Sequence, residues 1–520
     1  MAVSIPVLAC YLLLTWLLCR AFVFWFSEPP AASTTSGKLI EPPAFRSRIP
    51  FIGHILGIVS KGSNLYISAL CASQRTSIST LRLPGQDMHF IHPLDAPSVK
   101  QFTSMRFLSL MTVFRVAIGS CMGLVPASEK LLSDPDTGAF KKHLSKLFNE
   151  ELRTLQNLKK NAAQLELKAG EYWYKTIQNG DPFEVDLGSW LFDMLSYSMG
   201  AVFWGEEGPF EDAYFRGQVM VLIQNLEVFQ NPVTFLIPKK YFVAREYVRK
   251  TLDKAAESES YGSDAQEPTL FKRLTYIYES LDCPKEGYTD CHLVAIVGLM
   301  SNVINIITWA ICHIVADQEL TARLLAELDA VVDHTQSVKS LDIDRVRSSC
   351  PLLVSTWYEL LRVYGDSPVA RYVYEDSVFD AKYQIKKGSI IMTPIHLHNY
   401  ALETWGKDVE AFRPSRFLKD DGEVDYDLIK HLNVFGLPGM HQCPGRYLGL
   451  NITLSLVAKA LLSFEMVPAD GDVIGTGVVP GRKDTMLGLP AIARDPKITV
   501  RRRPGVKSVR VSFENVRPGW

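Results

Sequence analysis

The stretch Phe435-Gly436-Leu437-Pro438-Gly439-Met440-His441-Gln442-Cys443-Pro444-Gly445-Arg446 decides how the rest of this chain is read. Its glycines let a backbone pass close to a flat, bulky ligand. Cys443 offers a thiolate, and an apolar run from Tyr447 to Leu462 follows at helical period. Backbone amides at that helix N-terminus are expected to lower the thiol pKa and spread its charge. Taken alone, the loop describes a packed thiol equally well, so the surrounding sequence has to decide.

The 520 residues carry 55 Lys+Arg against 56 Asp+Glu and are 47% apolar, which describes a chain with a large core and no bulk charge. That composition excludes a disordered or collagen-like chain and gives no electrostatic reason to expect nucleic acid. Nine cysteines, at 10, 19, 71, 121, 283, 291, 312, 350 and 443, are odd in number, scattered and without a CxxC pair. A disulfide framework is therefore not expected, and a reducing compartment is.

The N-terminus differs in kind. Ala2–Phe26 holds one charged side chain, Arg20, and a helix of about 25 residues spans ~37 Å, enough to cross a ~30 Å hydrocarbon layer. A cleaved signal peptide competes with a retained anchor at 1–26. It is disfavoured by the lack of a basic residue before the run and of a small-x-small cleavage site. Lys38, Arg46, Arg48 and Lys61 follow the run and place the main body in the cytosol by the positive-inside bias. Residues 27–50, with Pro29-Pro30, Pro42-Pro43 and Pro50, read as a proline-rich linker, and 51–520 as the catalytic body. One further polar hinge is expected over Glu257–Pro268.

Helical periodicity predicts Phe140–Leu158, Phe215–Val228, Tyr241–Ala256, Leu293–Val315, Gln318–Val332, Leu341–Val363 and Tyr447–Leu462. Strand patterns fall at Ser77–Leu83, Arg371–Tyr374, Ser389–Thr393 and Lys507–Phe513. Leu293–Val315 has no formally charged side chain and passes a hydropathy test for a membrane span. Gly298, Ser301/Asn302, Asn305, Thr308/Trp309 and Cys312 nevertheless recur on one stripe, as they would on a core helix lining a cavity.

Glu359-Leu360-Leu361-Arg362 sets an acid and a base three apart on a helix, ordinarily a solvated pair. Phe412-Arg413-Pro414-Ser415-Arg416-Phe417 follows, and Arg416 can complete a three-member cluster with them. These pieces, in this order and ending in Cys-Pro-Gly-Arg, resemble the cytochrome P450 family over nearly the whole chain.

The resemblance implies a mainly α fold with a small β-rich subregion, a single large haem domain behind an anchor helix. It implies haem, iron protoporphyrin IX, with Cys443 as axial thiolate; such a ligand pushes electron density that favours O–O cleavage. Glu359, Arg362 and Arg416 become a structural cluster bracing the cysteine loop. Phe435 and Gly439 belong to the loop that passes the haem, and His441 and Arg371 match propionate-binding positions. The family's Trp/Arg pair is not clear here, and Lys141, Lys142 or His143 is the substitute. Phe435 lies eight residues before the cysteine, against the usual seven, so Leu437-Pro438 is expected to bulge.

On the long helix, alignment through Trp309 puts Ser301 and Asn302 where the family commonly has an acid and a threonine that deliver protons. Asparagine cannot act as an acid, although its amide can orient a water or merely satisfy a buried contact. In this it resembles the subgroup that holds cholesterol 7α-hydroxylase and prostacyclin synthase. Ile296, Gly298, Ser301, Asn302 and Asn305, with Pro368, Val369 and Ala370, are expected to bound a mainly apolar chamber.

The expectation is thus a membrane-anchored monooxygenase. It would insert oxygen into a hydrophobic steroid, terpenoid or other secondary metabolite, using O2 and electrons from NADPH–cytochrome P450 reductase, with cytochrome b5 as an optional further donor. Its place would be the endoplasmic reticulum membrane, single-pass, with a cytosolic catalytic domain. Reductase-independent rearrangement of a hydroperoxide or endoperoxide is the alternative on the same fold, and a non-catalytic haem-binding membrane protein the alternative from another class. Phe235–Pro238 with Lys239 and Lys240 reads as an interfacial segment or an ordinary loop. Arg501–Arg503 reads as a solvated turn, and Asn451-Ile452-Thr453 as a glycosylation pattern on a cytosolic helix.

Overall fold

The computed structural model describes residues 16, 39–46, 54, 57–58, 63–73, 76–83, 86–92, 100–103, 108–133, 138–177, 182–230, 237–257, 268–333, 338–437, 442–483 and 488–516. The expected anchor, most of the linker, most of the 257–268 hinge and the 235–236 end of the interfacial segment lie outside them. The chain divides into two compact units, Met1–Val113 with Pro368–His398, and Phe114–Ser367 with Asn399–Trp520.

The smaller unit is the β-rich subregion. Strands Ile78–Leu83, Gln86–Ile91, Ile390–Thr393, Val369–Val373 and Leu108–Ser109 lie side by side in that order. The first two form an antiparallel hairpin, and Gln86–Ile91 pairs in parallel with Ile390–Thr393. Three of the predicted strands fall here within two residues. One face is closed by Phe45, Ile67, Cys71, Leu81 and Phe90, with the Phe45 and Phe90 rings 6.2 Å apart.

The larger unit is helical and built around Tyr288–Ala316. Apolar on nearly every side, this helix is stable only where other elements cover it. Leu187–Trp204, Lys239–Glu257, Leu270–Ser280, Pro351–Tyr364 and Arg446–Ser463 do so. Among the described residues, Lys285–Ala316 is long and apolar enough to cross a membrane, but 72% of its most apolar window is buried inside the protein. It is a core helix, as the stripe of small and polar residues suggested. It stops at Asp317, whose carboxylate accepts the Leu320 N–H at 2.9 Å and starts the next helix, Gln318–Val331.

Three predicted helices are divided, among them Phe215–Val228, which becomes helix Ala213–Ile223 and a 3-10 turn, Leu226–Gln230. Leu341–Val363 becomes strand Lys339–Asp342, helix Ile343–Ser349 and helix Pro351–Tyr364. Pro351 has no N–H to give to a preceding turn and so opens a helix instead of continuing one. Phe140–Leu158 breaks at the extended residue Thr154, between Ala139–Arg153 and Leu155–Thr176. Leu187–Trp204 was not foreseen: buried on most of its surface, it has little periodic contrast to detect. Lys507–Phe513 contains Val509–Ser512, which pairs in parallel with Lys339–Asp342. Arg501 and Arg502 end a strand, Lys497–Arg502, instead of forming a turn, and Arg501 pairs with Glu465.

Two buried histidines are neutral members of this packing. His313 lies against Phe412, ring centroids 3.6 Å apart, with Nε2 2.8 Å from the Tyr364 hydroxyl. His292 stacks on Phe271 at 3.9 Å. Burial pushes the pKa of each down to about 3. The unfolded chain therefore binds more protons than the folded one below the ordinary histidine value. Their neutral state supports folding above about pH 6.5, and that support is lost as pH falls toward 3. Urea unfolding at stepped pH is expected to show a loss of about 1.4 kcal/mol per pH unit for each histidine in that window. His292→Phe, which keeps an aromatic ring on Phe271, should flatten the slope by one proton.

Candidate functional site

Glu359 lies on Pro351–Tyr364, a helix buried along nearly its whole length. Its carboxylate accepts from Arg362 Nε at 2.8 Å and Nη2 at 2.9 Å. Arg416 Nε donates to both of its oxygens at 3.0 and 3.1 Å, and the Arg413 backbone N–H adds a bond at 2.9 Å. The side chains of Glu359 and Arg362 are fully buried and that of Arg416 is 1% exposed. A pair that at this spacing is ordinarily solvated belongs here to a buried three-member cluster with Arg416, and its spare N–H groups have partners. Arg362 reaches the carbonyls of Asn399 and Ala411. Arg416 reaches those of Trp405, Asp408 and Ala411. Asp408 is a member that sequence reading missed: it accepts from Arg416 Nη1 at 3.0 Å, and that bond holds its carboxyl below the usual range.

The rest of the Phe-x-Pro-x-Arg-Phe element docks on the same helix. Phe417 is fully buried against Tyr358 and Trp405, and its N–H donates to Ser355 Oγ at 3.0 Å. The helix meets the cysteine loop through Trp357, stacked on Phe435 with centroids 6.0 Å apart.

The loop closes on itself where Cys443 N–H donates to the Phe435 carbonyl at 2.9 Å, so the additional residue does not open it. Gly436 turns with φ +75°, a conformation that favours glycine, and Leu437 is buried. His441 and Gly439 lie outside the described residues. Cys443 precedes the buried helix Arg446–Ser463 and is the one described cysteine that keeps accessible surface. Protein crowds it enough elsewhere that burial pushes its thiol pKa up. The Gly445 N–H, the Arg446 charge and the Arg446 N–H oppose that shift without reversing it. The expected net lowering by helix amides is therefore corrected: in the bare protein, desolvation wins. A bound metal ion reverses this balance, since a coordinating thiol is deprotonated outright. Arg446 also ties the turn, donating to the Cys443 carbonyl at 3.1 Å.

Arg371 belongs to the smaller unit; it is buried, donates to the Ala370 carbonyl at 2.7 Å and lies over the Phe102 ring. Lys142 and His143 are exposed on Ala139–Arg153, and Lys141 is half-buried.

The long helix differs most from expectation. The polar side chains of its stripe are engaged with backbone. Ser301 Oγ donates to the Val297 carbonyl at 2.7 Å, and Asn302 Oδ1 accepts the Leu489 N–H at 2.8 Å. Asn305 Nδ2 donates to the Leu489 carbonyl at 2.9 Å, and Trp309 Nε1 to that of Pro490 at 2.8 Å. Ile296 is buried inside the packing. Away from its two ends, the residues of this helix that are not buried are Val294, Gly298, Asn302 and Val303. The first three are four apart, one strip along the helix. A Cβ built on Gly298 meets nothing within 4 Å.

A half-buried cysteine just before a buried helix, in a loop packed on the helix that carries a rigid charge network, is the setting a thiolate-ligated cofactor needs. A cytochrome P450 family model matches residues 42–476, and the chain belongs to the cytochrome P450 family. It is an oxidoreductase of the monooxygenase type, and the family's cofactor is haem held by a cysteine thiolate. The cytochrome P450 monooxygenase nodJ of Hypoxylon pulicicidum is similar, at 23% identity over 447 residues, 84% of this chain and 85% of its own. The cytochrome P450 monooxygenase buaD of Petromyces alliaceus is 30% identical over 189 residues, 35% of this chain and 33% of its own. Cytochrome P450 78A6 of Arabidopsis thaliana is 27% identical over 173 residues, 32% of this chain and 31% of its own.

Removing Glu359 leaves two buried guanidinium groups facing each other. Losing one partner of a buried ion pair costs about 3–5 kcal/mol, so Glu359→Ala is expected to lower the denaturation midpoint sharply and abolish Soret absorbance in the purified protein. Arg416→Lys keeps the charge but loses the fork that reaches Glu359 and Asp408 together, and should lie between wild type and that variant.

Proposed function

We propose that this protein is a membrane-anchored monooxygenase whose haem is bound by Cys443 and which hydroxylates a hydrophobic substrate of steroid or terpenoid size, or another secondary metabolite. The observation that carries the assignment of the ligand is the position of that sulfur. Cys443 is half-buried, its thiol faces the Gly445 and Arg446 N–H groups, and its own backbone N–H joins it to Phe435. Haem bound there supplies the activation of dioxygen that lets one oxygen atom enter a C–H bond.

The chain's own residues do the rest. The two N–H groups and the Arg446 charge favour the ionised sulfur. The Glu359 cluster and the Trp357–Phe435 stack hold the loop against displacement. Val294 and Gly298 offer an apolar strip on which a greasy substrate can lie, with the missing side chain at 298 leaving room. Electrons come in this reading from NADPH–cytochrome P450 reductase, with cytochrome b5 as an optional second donor. Residues 1–26 tether the chain to the endoplasmic reticulum.

A second reading is favoured by one observation. The Ser301 hydroxyl is spent on Val297, and the Asn302 oxygen on Leu489. Neither side chain is an acid, and this suits rearrangement of a hydroperoxide or endoperoxide, which needs no delivered proton and no reductase.

The tests are separate. Reduced protein with carbon monoxide should give the difference spectrum of a thiolate-ligated haem, and Cys443→Ala should abolish it; a variant that kept it would place the ligand on another sulfur. Product that requires reductase, NADPH and oxygen supports hydroxylation, whereas turnover of a peroxide without reductase supports rearrangement. Deleting residues 1–26 should move the expressed protein from the membrane pellet to the supernatant, and unchanged pelleting would sink the tether.

A further inference from the structure

Three consecutive residues, Gly488, Leu489 and Pro490, are held by side chains from the long helix and by one residue beyond a second helix. Asn302 takes the Leu489 N–H, Asn305 its carbonyl, and Trp309 the carbonyl of Pro490. Ser367, just beyond the helix that carries Glu359, donates to the Gly488 carbonyl. The segment leads into a short hairpin, Arg482–Lys483 with Ala491–Ile492. The other strand of that hairpin is tied down as well. Arg482 bridges both oxygens of Asp366 at 2.9 and 3.0 Å, and Lys483 reaches the Gln224 carbonyl at 2.6 Å and Asn225 Oδ1 at 2.8 Å.

Asn302, the acceptor, differs from the two long-helix donors, Asn305 and Trp309, in keeping accessible surface, on the same strip as Gly298. Its orientation is fixed by chemistry: a backbone N–H can only donate, so the amide oxygen must face Leu489. Gly488 is what permits the approach. Its φ is +88°, and a Cβ there would sit 2.1 Å from Asn302 Oδ1. Two local features, a left-handed glycine and a helix asparagine, are thus matched to each other.

We infer that Asn302 is a positioning residue: its amide oxygen latches the 488–490 segment to the long helix and so fixes a wall beside the accessible strip, a task distinct from carrying protons. This rests, for its effect on ligands, on the haem reading above. The latch needs an acceptor at 302 and nothing else, so a carboxylate should serve and an apolar isostere should not.

The test uses the full-length, haem-loaded protein and the variants Asn302→Asp, Asn302→Leu and Gly488→Ala. Hydrogen–deuterium exchange at the Leu489 amide should be slow in wild type and close to that in Asn302→Asp. In Asn302→Leu and Gly488→Ala it should be about tenfold faster or more, the factor carried by one lost hydrogen bond. The second readout is the affinity ratio of two probes, 4-phenylimidazole and imidazole, followed by the Soret shift. The ratio should change by about fivefold or more in Asn302→Leu, part of what one hydrogen bond is worth, and stay near wild type in Asn302→Asp. Unchanged exchange in Asn302→Leu, or altered exchange with an unchanged probe ratio, overturns the inference. So does an Asn302→Asp variant that behaves like Asn302→Leu. Failure of the haem reading would look different, because wild type itself would then give no Soret shift with either probe.

Discussion

The charge network around Glu359 is the constraint on which the remaining structure depends. One carboxylate receives two arginines and a backbone N–H in a fully buried setting. Burying such groups is expensive, and what offsets the cost is complete satisfaction of their hydrogen bonds. The arginines reach carbonyls at 399, 405, 408 and 411, which fixes a winding stretch with little regular structure against the helix 351–364. An apolar core of the same volume would hold this stretch but would not dictate its register.

That rigidity bears on the cysteine turn, which packs on the same helix. Among its described residues it is closed by the backbone bond from Cys443 to Phe435 and tied by Arg446 at the Cys443 carbonyl, with Phe435 stacked on Trp357 from the helix that bears Glu359. The thiol sits where burial raises its pKa and two amides and a guanidinium oppose the rise. The protein is therefore poised for a cation: the desolvated sulfur is costly to ionise alone and is stabilised once a metal shares its charge. The long helix completes the picture from another direction. It is a core element first, and a strip at 294, 298 and 302 keeps accessible surface.

Much of this was legible in sequence, for identifiable reasons. Glu359, Arg362 and Arg416 were joined because a fixed spacing on a helix and a proline-bounded motif are local features. Strands 78–83, 369–373 and 390–393 showed themselves through short apolar runs with turn residues between them. Helix 187–204 and the break at Pro351 were missed because burial on all sides erases periodic contrast, and because a long periodic run masked a proline that starts a helix. Asp408 gave no signal; an exposed-looking aspartate becomes part of the network only through the path of the chain.

What the sequence determined by itself is the chemistry available: a cysteine in a glycine turn before an apolar helix, an acid with two arginines, and an asparagine on a greasy helix. Each of these is a property of residues close together along the chain, where spacing and covalent geometry suffice. Only the tertiary structure decided how those groups are used. It buried the acid that looked solvated, raised a thiol pKa that local amides would have lowered, and bound the asparagine to Leu489, far along the chain. Those outcomes depend on desolvation and on partners brought together by packing, and no one-dimensional pattern records either.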